Sequence, residues 1–333
     1  MGYKVGKMTI IDIATLAGVS KTTVSRVINK DPTVSEKNRE KVQAIMSQYN
    51  FFPSEAARVM KTGKSKTIGV ITPFQMHSFF NNEFFKCCFQ GIRDVLKEKD
   101  YNTIFPSGYG VESDAINKLI YQNHVEGIIL LYTVNNDLNI SVLEKANIPY
   151  VIVGPYMDEN DKNIISYDNK HMMKEVLNYL SSIGKNSVAF FSSDKEISQN
   201  MMFYSGYTEW FNEKNKKVDD ELVKRSLSKK ESVFDALDEL YQKGNYPDAI
   251  ITSDITIQNS ILDYTQLRKL NEPTLFSLED SWLNEYLGIS SVVPNFRLMG
   301  KMAGERILES ISAPEETKKI ELNYQMVIRD RKH

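Results

Sequence analysis

Residues 9–29 read TIIDIATLAGVSKTTVSRVIN, and this stretch predicts two short helices joined at Gly18. Thr9, followed three residues later by Asp12, is a variant of the capping box that begins many helices. Apolar residues then recur at helical spacing and predict one buried face: Ile10, Ile13, Ala14 and Ala17. Gly18 supplies the tight turn between the helices, and Ser20 is a good N-cap for the second one.

The second predicted helix separates an apolar side from a polar side. Val24, Val27 and Ile28 lie together on the apolar side. The opposite side carries a lysine, two hydroxyls and an arginine: Lys21, Thr22, Ser25 and Arg26. A short helix with such a face after a glycine turn is typical of the recognition helix of a helix-turn-helix. Spacing alone also allows a helical hairpin with an ordinary solvated face.

The residues themselves resemble the N-terminal signature of the lactose-repressor/galactose-repressor family of bacterial regulators. That signature is T-I-x-D-[IV]-A-x-x-A-G-V-S-x-x-T-V-S-R-V-[IL]-N, and residues 9–29 keep almost every fixed position. The resemblance implies that three side chains read base edges in the major groove: Lys21, Thr22 and Arg26. Four others suit phosphate oxygens, which position a protein on DNA without specifying sequence: Ser20, Thr23, Ser25 and Asn29.

The charge distribution agrees with a nucleic-acid module attached to a larger acidic body. The 333 residues carry 41 Lys and Arg and 43 Asp and Glu, yet residues 1–64 hold 11 basic and 5 acidic groups. A basic first part favours a polyanionic partner. No apolar run reaches the ~20 residues of a membrane span. The two cysteines, Cys87 and Cys88, are adjacent and unsuited to a disulfide framework, so we expect a cytoplasmic protein with no membrane partner.

A third helix and a linker follow. The third helix is predicted from Ser35 to about Gln48, with a buried stripe of Val42, Ile45, Met46 and Tyr49, which completes a helix-turn-helix head over residues 1–52. Residues 53–65 predict a hinge helix that is too short to be stable alone in water. In the resembled family this hinge orders on the operator and inserts an apolar wedge into the minor groove. The implied hinge contacts here are Ser54, Ala57 and Met60, with Met60 at the wedge position.

From residue 66 onward, short β-branched or aromatic runs alternate with helical stretches. The predicted strands are 68–72, 102–105, 127–132, 149–154, 187–193, 249–253 and 274–279. This alternation predicts parallel sheets covered by helices, and the number of units predicts two doubly wound α/β subdomains. By the resemblance, residues 66–333 form a periplasmic-binding-protein-like core for effector binding and dimerisation. One subdomain is expected near 66–165 and 295–321, and the other near 166–294 and 322–333.

Ligands of two-subdomain α/β folds bind between the subdomains, at the carboxyl ends of the strands. By the resemblance, the effector-binding candidates are Phe74, Tyr132, Phe203, Ser253, Asp254, Glu279, Trp282 and Phe296. The chain departs from the family at its R-x-x-G-[FYW] motif, where FYSGY puts Phe203 in place of a ligand-binding arginine. Losing that arginine removes a bidentate clamp. An aromatic ring there could stack on a sugar, and the sequence is similar to maltose-operon repressors, so we expect a small saccharide, with maltose or another disaccharide as the favoured candidate.

The motifs for catalysis are missing from this sequence. The four histidines show no metal-ligand spacing, and no nucleophile elbow or phosphate loop is present, so we expect no enzyme activity, cofactor or metal. The expected protein is a homodimeric repressor that binds a near-palindromic double-stranded operator of a carbohydrate-utilisation operon and is gated by a small carbohydrate. One alternative stays open: a core that answers to a protein partner, as in catabolite control. The basic head argues against a sugar-binding component of a transporter.

Overall fold

The computed structural model describes residues 8–29, 31–51, 59, 64–72, 82–106, 112–122, 124–134, 136–157, 162–314 and 316–330. The chain divides into two compact units, Met1–Ser65 and Lys66–His333. The predicted hinge contacts at Ser54, Ala57 and Met60, and the predicted effector contact at Phe74, lie outside the described residues.

Three helices with defined bounds lie in the described part of the head: α1 (Ile10–Ala17), α2 (Lys21–Ile28) and α3 (Glu36–Gln48). The capping box of α1 is complete, because Asp12 N–H donates to Thr9 Oγ1 at 3.3 Å and Thr9 N–H donates to the Asp12 carboxylate at 2.8 Å. Gly18 adopts a left-handed φ of 65°, which glycine tolerates best. The prediction of two helices joined at this glycine is confirmed.

The three helices of the head enclose a small apolar core. Its buried members come from all three helices and from the segment that precedes α3: Ile13, Ala14, Ala17, Val24, Val27, Val34 and Val42. Ile45 and Met46 are partly buried against this core. The prediction for Tyr49 is wrong, because α3 ends at Gln48 and the Tyr49 side chain is 43% exposed.

The first subdomain of the core is built on a sheet of six parallel strands in the order β11-β5-β4-β3-β1-β2. The strands are β1 (Thr67–Ile71), β2 (Asn102–Ile104), β3 (Gly127–Leu130), β4 (Tyr150–Val153), β5 (Ile164–Ser166) and β11 (Lys319–Glu321). Its helices are α4 (Glu83–Glu98), α5 (Glu112–Tyr121), α6 (Leu138–Lys145) and α12 (Phe296–Ser312). β1, β3 and β4 are almost wholly buried, as expected for strands covered on both faces.

The second subdomain repeats this plan with the strand order β12-β10-β9-β8-β6-β7. Its strands are β6 (Val188–Phe191), β7 (Val223–Lys224), β8 (Ala249–Thr252), β9 (Thr274–Ser277), β10 (Ser290–Val293) and β12 (Gln325–Val327). Its helices are α7 (Asn169–Ser182), α8 (Ser198–Glu213), α9 (Lys230–Gln242), α10 (Ile255–Arg268) and α11 (Trp282–Leu287). β12 is antiparallel to β10, and the other pairings in this sheet are parallel. The predicted fold class, a helical head followed in the sequence by two doubly wound subdomains, is confirmed.

The two subdomains are tied together by three chain crossings and one shared core. The crossings follow β5, β10 and β11. A single hydrophobic cluster includes Ile129 and Val153 of the first sheet and Phe190 and Ile251 of the second. At the carboxyl end of β3, Val134 forms an antiparallel bridge with residue 197, which precedes α8. The carboxyl ends of strands from both sheets therefore meet at this seam.

Candidate nucleic-acid interface and ligand cleft

The polar face of α2 is exposed while its apolar face is packed in the head. Lys21, Thr22 and Arg26 are exposed, whereas Val24 and Val27 are buried. The Arg26 side chain is 58% exposed, and its Nε lies 3.9 Å from Asp31 Oδ2. An exposed ion pair at that distance contributes little to stability. The guanidinium can therefore leave it and present its two N–H groups to the O6 and N7 atoms of a guanine.

Further polar groups lie at both ends of α2. Ser20 caps the helix by accepting the Thr23 N–H at 3.0 Å, and the two hydroxyl oxygens are 2.9 Å apart. At the other end, Asn29 Nδ2 donates to the Ser25 carbonyl at 2.8 Å. These bonds hold the side chains close to the helix backbone, where phosphate oxygens of a docked duplex would lie. The phosphate-contact assignments stay predictions.

Three of the predicted effector residues are brought together at the carboxyl ends of β8 and β9. Ser253 follows β8, and its Oγ accepts the Ser193 N–H at 3.3 Å. Asp254 caps α10 by accepting the N–H groups of the second and third residues of that helix at 3.0 and 3.1 Å. Asn200 of α8 donates to Ser193 Oγ at 3.1 Å, which ties the loop after β6 into the same group. We call Ser193, Asn200, Ser253, Asp254 and Glu279 the polar cluster.

Glu279 contributes the most strongly perturbed group of the polar cluster. Burial, and to a lesser extent the nearby Asp254 carboxylate, raise the pKa of Glu279 to about 8 against the lowering effect of a hydrogen bond from the Ile255 N–H. Burial also raises the pKa of Asp254, against the lowering effect of its backbone hydrogen bonds. With its pKa near 8, Glu279 is largely protonated at neutral pH. A protonated carboxyl both donates and accepts hydrogen bonds, which suits a ligand hydroxyl.

The next carboxylate in the chain has a structural role. Asp280 accepts two hydrogen bonds from the Arg329 guanidinium, at 2.9 and 3.0 Å, and one from Ser291 Oγ at 2.6 Å. Arg329 Nη1 also donates to the Ile289 carbonyl at 2.9 Å. This network fastens the segment after β12 to the β9–α11 loop. The two neighbouring acids therefore have different partners: Glu279 belongs to the polar cluster, and Asp280 pairs with Arg329.

The predicted aromatic contacts do not come together as free ring faces. Phe203 is 1% exposed and belongs to the shared hydrophobic core, so its burial does not support stacking on a ligand. Tyr132 and Phe296 are partly buried against that core, and the Phe296 ring packs edge-on against Phe84 at 5.2 Å. Trp282, the first residue of α11, is 77% exposed at the surface. These four assignments as effector contacts stay predictions.

One cation near the polar cluster is not singled out by the sequence. Arg225 follows β7, and its guanidinium carbon lies 4.6 Å from the centre of the Tyr204 ring. Its Nη2 donates to the carbonyl of Lys195 at 2.8 Å. β7 is only two residues long and carries no periodic signal, so its carboxyl end is not recognisable from the sequence. Tyr204 is the one available signal, since it follows the position where the family motif has arginine.

Other features of the described residues give no second site. A depression of about 370 Å³ is lined by Asn186, Tyr207 and Lys216 among others, at the amino end of β6 and hence at the opposite edge of the sheet from the polar cluster. Within the described ranges, no group of three or more His, Cys, Asp or Glu side chains is arranged to hold a metal ion. No described helix is long and apolar enough to cross a membrane.

A helix-turn-helix head followed by a core of two parallel-sheet subdomains defines the class of ligand-responsive DNA-binding regulators. Residues 9–54 match the model of bacterial regulatory proteins of the lacI family, and residues 65–268 match that of periplasmic binding proteins and the sugar binding domain of the LacI family. The chain belongs to the LacI family and is a transcriptional repressor of that family. Proteins of this family are transcription regulators and not enzymes.

Relatives and solved structures agree with this membership. The HTH-type transcriptional regulator MalR of Staphylococcus xylosus is 29% identical over 311 residues, which is 91% of each chain. The lac repressor dimer bound to operator and an anti-inducer has a TM-score of 0.83 at 21% identity, over 97% of this chain and 98% of that one. The CelR–cellobiose complex has a TM-score of 0.74 at 21% identity, over 98% of this chain and 100% of that one.

Proposed function

We propose that this repressor controls a carbohydrate-utilisation operon and that a small neutral saccharide, a disaccharide such as maltose, gates its binding to DNA. The observation that carries the proposal is the polar cluster at the carboxyl ends of β6, β8 and β9. Hydroxyl, amide and carboxyl groups meet there beside the seam between the subdomains. Such groups recognise sugar hydroxyls by complementary donors and acceptors.

The charge of the polar cluster favours an uncharged ligand. The carboxyl of Glu279 lies close enough to the Asp254 carboxylate for that charge to raise its pKa. A phosphate or carboxylate placed against Glu279 and Asp254 would add a third acidic group beside these two carboxyls, and unpaired buried charge is costly. The CelR–cellobiose complex supports a disaccharide as a ligand that this fold accommodates.

For DNA, the proposal assigns the base contacts to Lys21, Thr22 and Arg26 and the phosphate contacts to the hydroxyl and amide groups around α2. Two heads on a near-palindromic operator require a homodimer, because a two-fold protein matches two-fold DNA. The lac repressor dimer bound to operator supports this arrangement. Ser54, Ala57 and Met60 are proposed to enter the minor groove as the hinge. The proposed place of action is the cytoplasm, where operator DNA lies.

Thermal unfolding of the full chain against a panel of maltose, cellobiose, sucrose and glucose tests the effector, with glycerol as a control for solvent effects. A ligand that binds only the folded state raises the melting temperature with its concentration, by about 2.7 kcal/mol of stabilisation at a hundredfold excess over Kd. We expect one of the disaccharides to do so in the millimolar range or below. If no saccharide raises the melting temperature more than glycerol, the proposal is wrong and a core that answers to a protein partner takes its place.

A further inference from the structure

The guanidinium of Arg225 is held in place without a carboxylate partner among the described residues. It lies against the Tyr204 ring with its carbon 4.6 Å from the ring centre, and Nη2 donates to the Lys195 carbonyl at 2.8 Å. Its Nε is buried and has no hydrogen-bond partner in the described part of the chain. By contrast, Arg297 and Arg329 each pair with an aspartate, at 2.7 and 2.9 Å. Arg225 therefore keeps donor capacity that the fold does not use.

A backbone hydrogen bond of the next residue in the chain connects Arg225 to the polar cluster. The residue that follows it, Ser226, donates its N–H to the Ser193 carbonyl at 2.9 Å. Ser193 in turn donates its own N–H to Ser253 Oγ and accepts from Asn200. The guanidinium is thus presented from β7 at the same sheet edge that carries the cluster from β6 and β8.

The loop that receives the Arg225 hydrogen bond also reaches the other subdomain. Lys195 lies two residues before Ile197, which forms the bridge with Val134. Next to that bridge, the Ser198 N–H donates to the Thr133 carbonyl at 3.2 Å. The carbonyl that holds Arg225 therefore belongs to the loop at the seam, where a ligand between the subdomains would be enclosed.

From these contacts we infer that Arg225, stacked on Tyr204, is an effector-binding residue that donates hydrogen bonds to adjacent hydroxyls of a saccharide. A planar guanidinium presents paired donors that match two neighbouring oxygens, and stacking fixes its plane in advance. Phe203 leaves the family's arginine position without a cation, and Arg225 supplies one from the neighbouring strand over the very next residue of α8. This inference rests on the proposed saccharide effector.

Arg268 offers a matched control. It is also an arginine of the second subdomain stacked on a tyrosine, with its carbon 5.7 Å from the Tyr264 ring centre. It differs in being paired with Asp238 at 2.9 Å and in lying at the last residue of α10, the opposite end of that helix from Asp254. Removing Arg268 therefore changes charge and stacking to a similar extent without touching the polar cluster.

The test compares Arg225→Ala, Arg225→Lys and Arg268→Ala in the full chain, with melting temperatures measured against maltose, cellobiose and sucrose. We expect Arg225→Ala to need at least tenfold more of the active disaccharide for the same shift, while it binds a selected operator duplex as wild type does. Lysine keeps the charge but not the paired donors, so Arg225→Lys should need a disaccharide concentration between those of wild type and Arg225→Ala. Arg268→Ala should respond as wild type. Arg225→Gln replaces the alanine variant if that variant does not fold.

Two outcomes overturn the inference in distinguishable ways. If the wild-type chain responds to a saccharide and Arg225→Ala responds at the same concentrations, Arg225 is not an effector-binding residue and the proposed function stands. If the wild-type chain responds to no saccharide, the proposed function fails, and the assignment of Arg225 fails with it.

Discussion

At the scale of single residues, Arg26 is the side chain that tests the proposed base contacts most directly. It is exposed on α2, and among the described residues its ion pair is the long contact with Asp31. Arg26→Ala should weaken binding to the selected operator by about 1–3 kcal/mol and relax the preference at one base pair, because it removes a bidentate contact to guanine. Binding-site selection with the purified variant measures both effects.

Lys41→Ala is the control for that experiment, because it removes one positive charge from an exposed position of α3 and leaves α2 intact. It should change affinity for all sequences alike and leave the preference unaltered. The base-contact assignment is wrong if Arg26→Ala selects the same site with the same stringency as wild type.

Glu279 makes a prediction about pH. Its pKa in the folded chain is about 8, above the value in an unfolded chain, so the folded state keeps a proton that the unfolded state releases. The stability that the protonated Glu279 contributes to the folded state is fully present at low pH and is lost as pH rises through about 8. A glutamine in place of Glu279 stays neutral throughout. The melting temperature of Glu279→Gln minus that of wild type should therefore be smallest near pH 5, grow as pH rises, and level off above about pH 8.

A Glu305→Gln variant, at an exposed position of α12, is the control and should show no such trend. Melting curves at pH 5, 6, 7, 8 and 9 are sufficient. A difference for Glu279→Gln that stays constant over this range would mean that the Glu279 carboxyl is ionised throughout, which contradicts a neutral carboxyl at the proposed ligand site.

The site also shows where residue-level reasoning from sequence stops. Ser253, Asp254 and Glu279 are predictable because they closely follow recognisable strands, and parallel strands bring their carboxyl ends to one edge. Phe203 is different, because a motif position fixes its place on α8 but not whether its ring is free or packed into the core. Arg225 is missed for the opposite reason: a two-residue strand presents it, and its stacking on Tyr204 joins segments about twenty residues apart.

At the scale of elements, α4 and α12 pack at unusually short range. A Cβ at Gly300 would lie 2.0 Å from the backbone oxygen of Cys88, and a Cβ at Gly91 would lie 2.1 Å from that of Arg297. Glycine in a helix normally costs stability relative to alanine. At Gly91 and Gly300 glycine is instead more stabilising than alanine, because the two helix backbones would have to separate to admit a methyl group. α12 is the first element after the chain crosses from β10 of the second subdomain to the first, so this contact also anchors the crossing.

Gly300→Ala should lower the free energy of unfolding by about 1–3 kcal/mol or more, as overpacking does in rigid cores. Gly304→Ala is the graded comparison, since its Cβ would meet the Val95 side chain at 3.0 Å and no backbone atom closer than 3.3 Å. It should cost clearly less. Urea unfolding of the two variants and wild type measures the order, and equal stability of Gly300→Ala and wild type would contradict this packing.

The strands also differ in whether local sequence or distant pairing determines where they form. The seven strands expected from β-branched or aromatic runs are present, because such runs are recognisable without their partners. β5, β7, β10, β11 and β12 are not among these seven, and each has only two to four residues, which leaves a periodic pattern little room to show. β11 is paired with β5 across more than 150 residues, and β12 is held by β10 after the last crossing. Their positions depend on the topology and not on local propensity.

At the scale of the whole molecule, the shared core and three crossings make the two subdomains a coupled pair. The proposed saccharide would contact groups carried by β6, β8 and β9, beside the bridge between Val134 and Ile197. Binding can change DNA affinity only if the ligand prefers one arrangement of the subdomains, and the coupling must then be reciprocal. Operator DNA should accordingly change the affinity for the saccharide by the same factor.

Fluorescence anisotropy of a labelled, selected operator duplex, titrated with the full chain in the presence and absence of a saturating disaccharide, measures this coupling. We predict that the dissociation constant for the operator changes at least fivefold, the lower end of ordinary allosteric coupling. Arg268→Ala should show the same change as wild type. Operator affinity that stays within twofold at saturating disaccharide, for a chain that demonstrably binds that disaccharide, would contradict a saccharide-gated repressor.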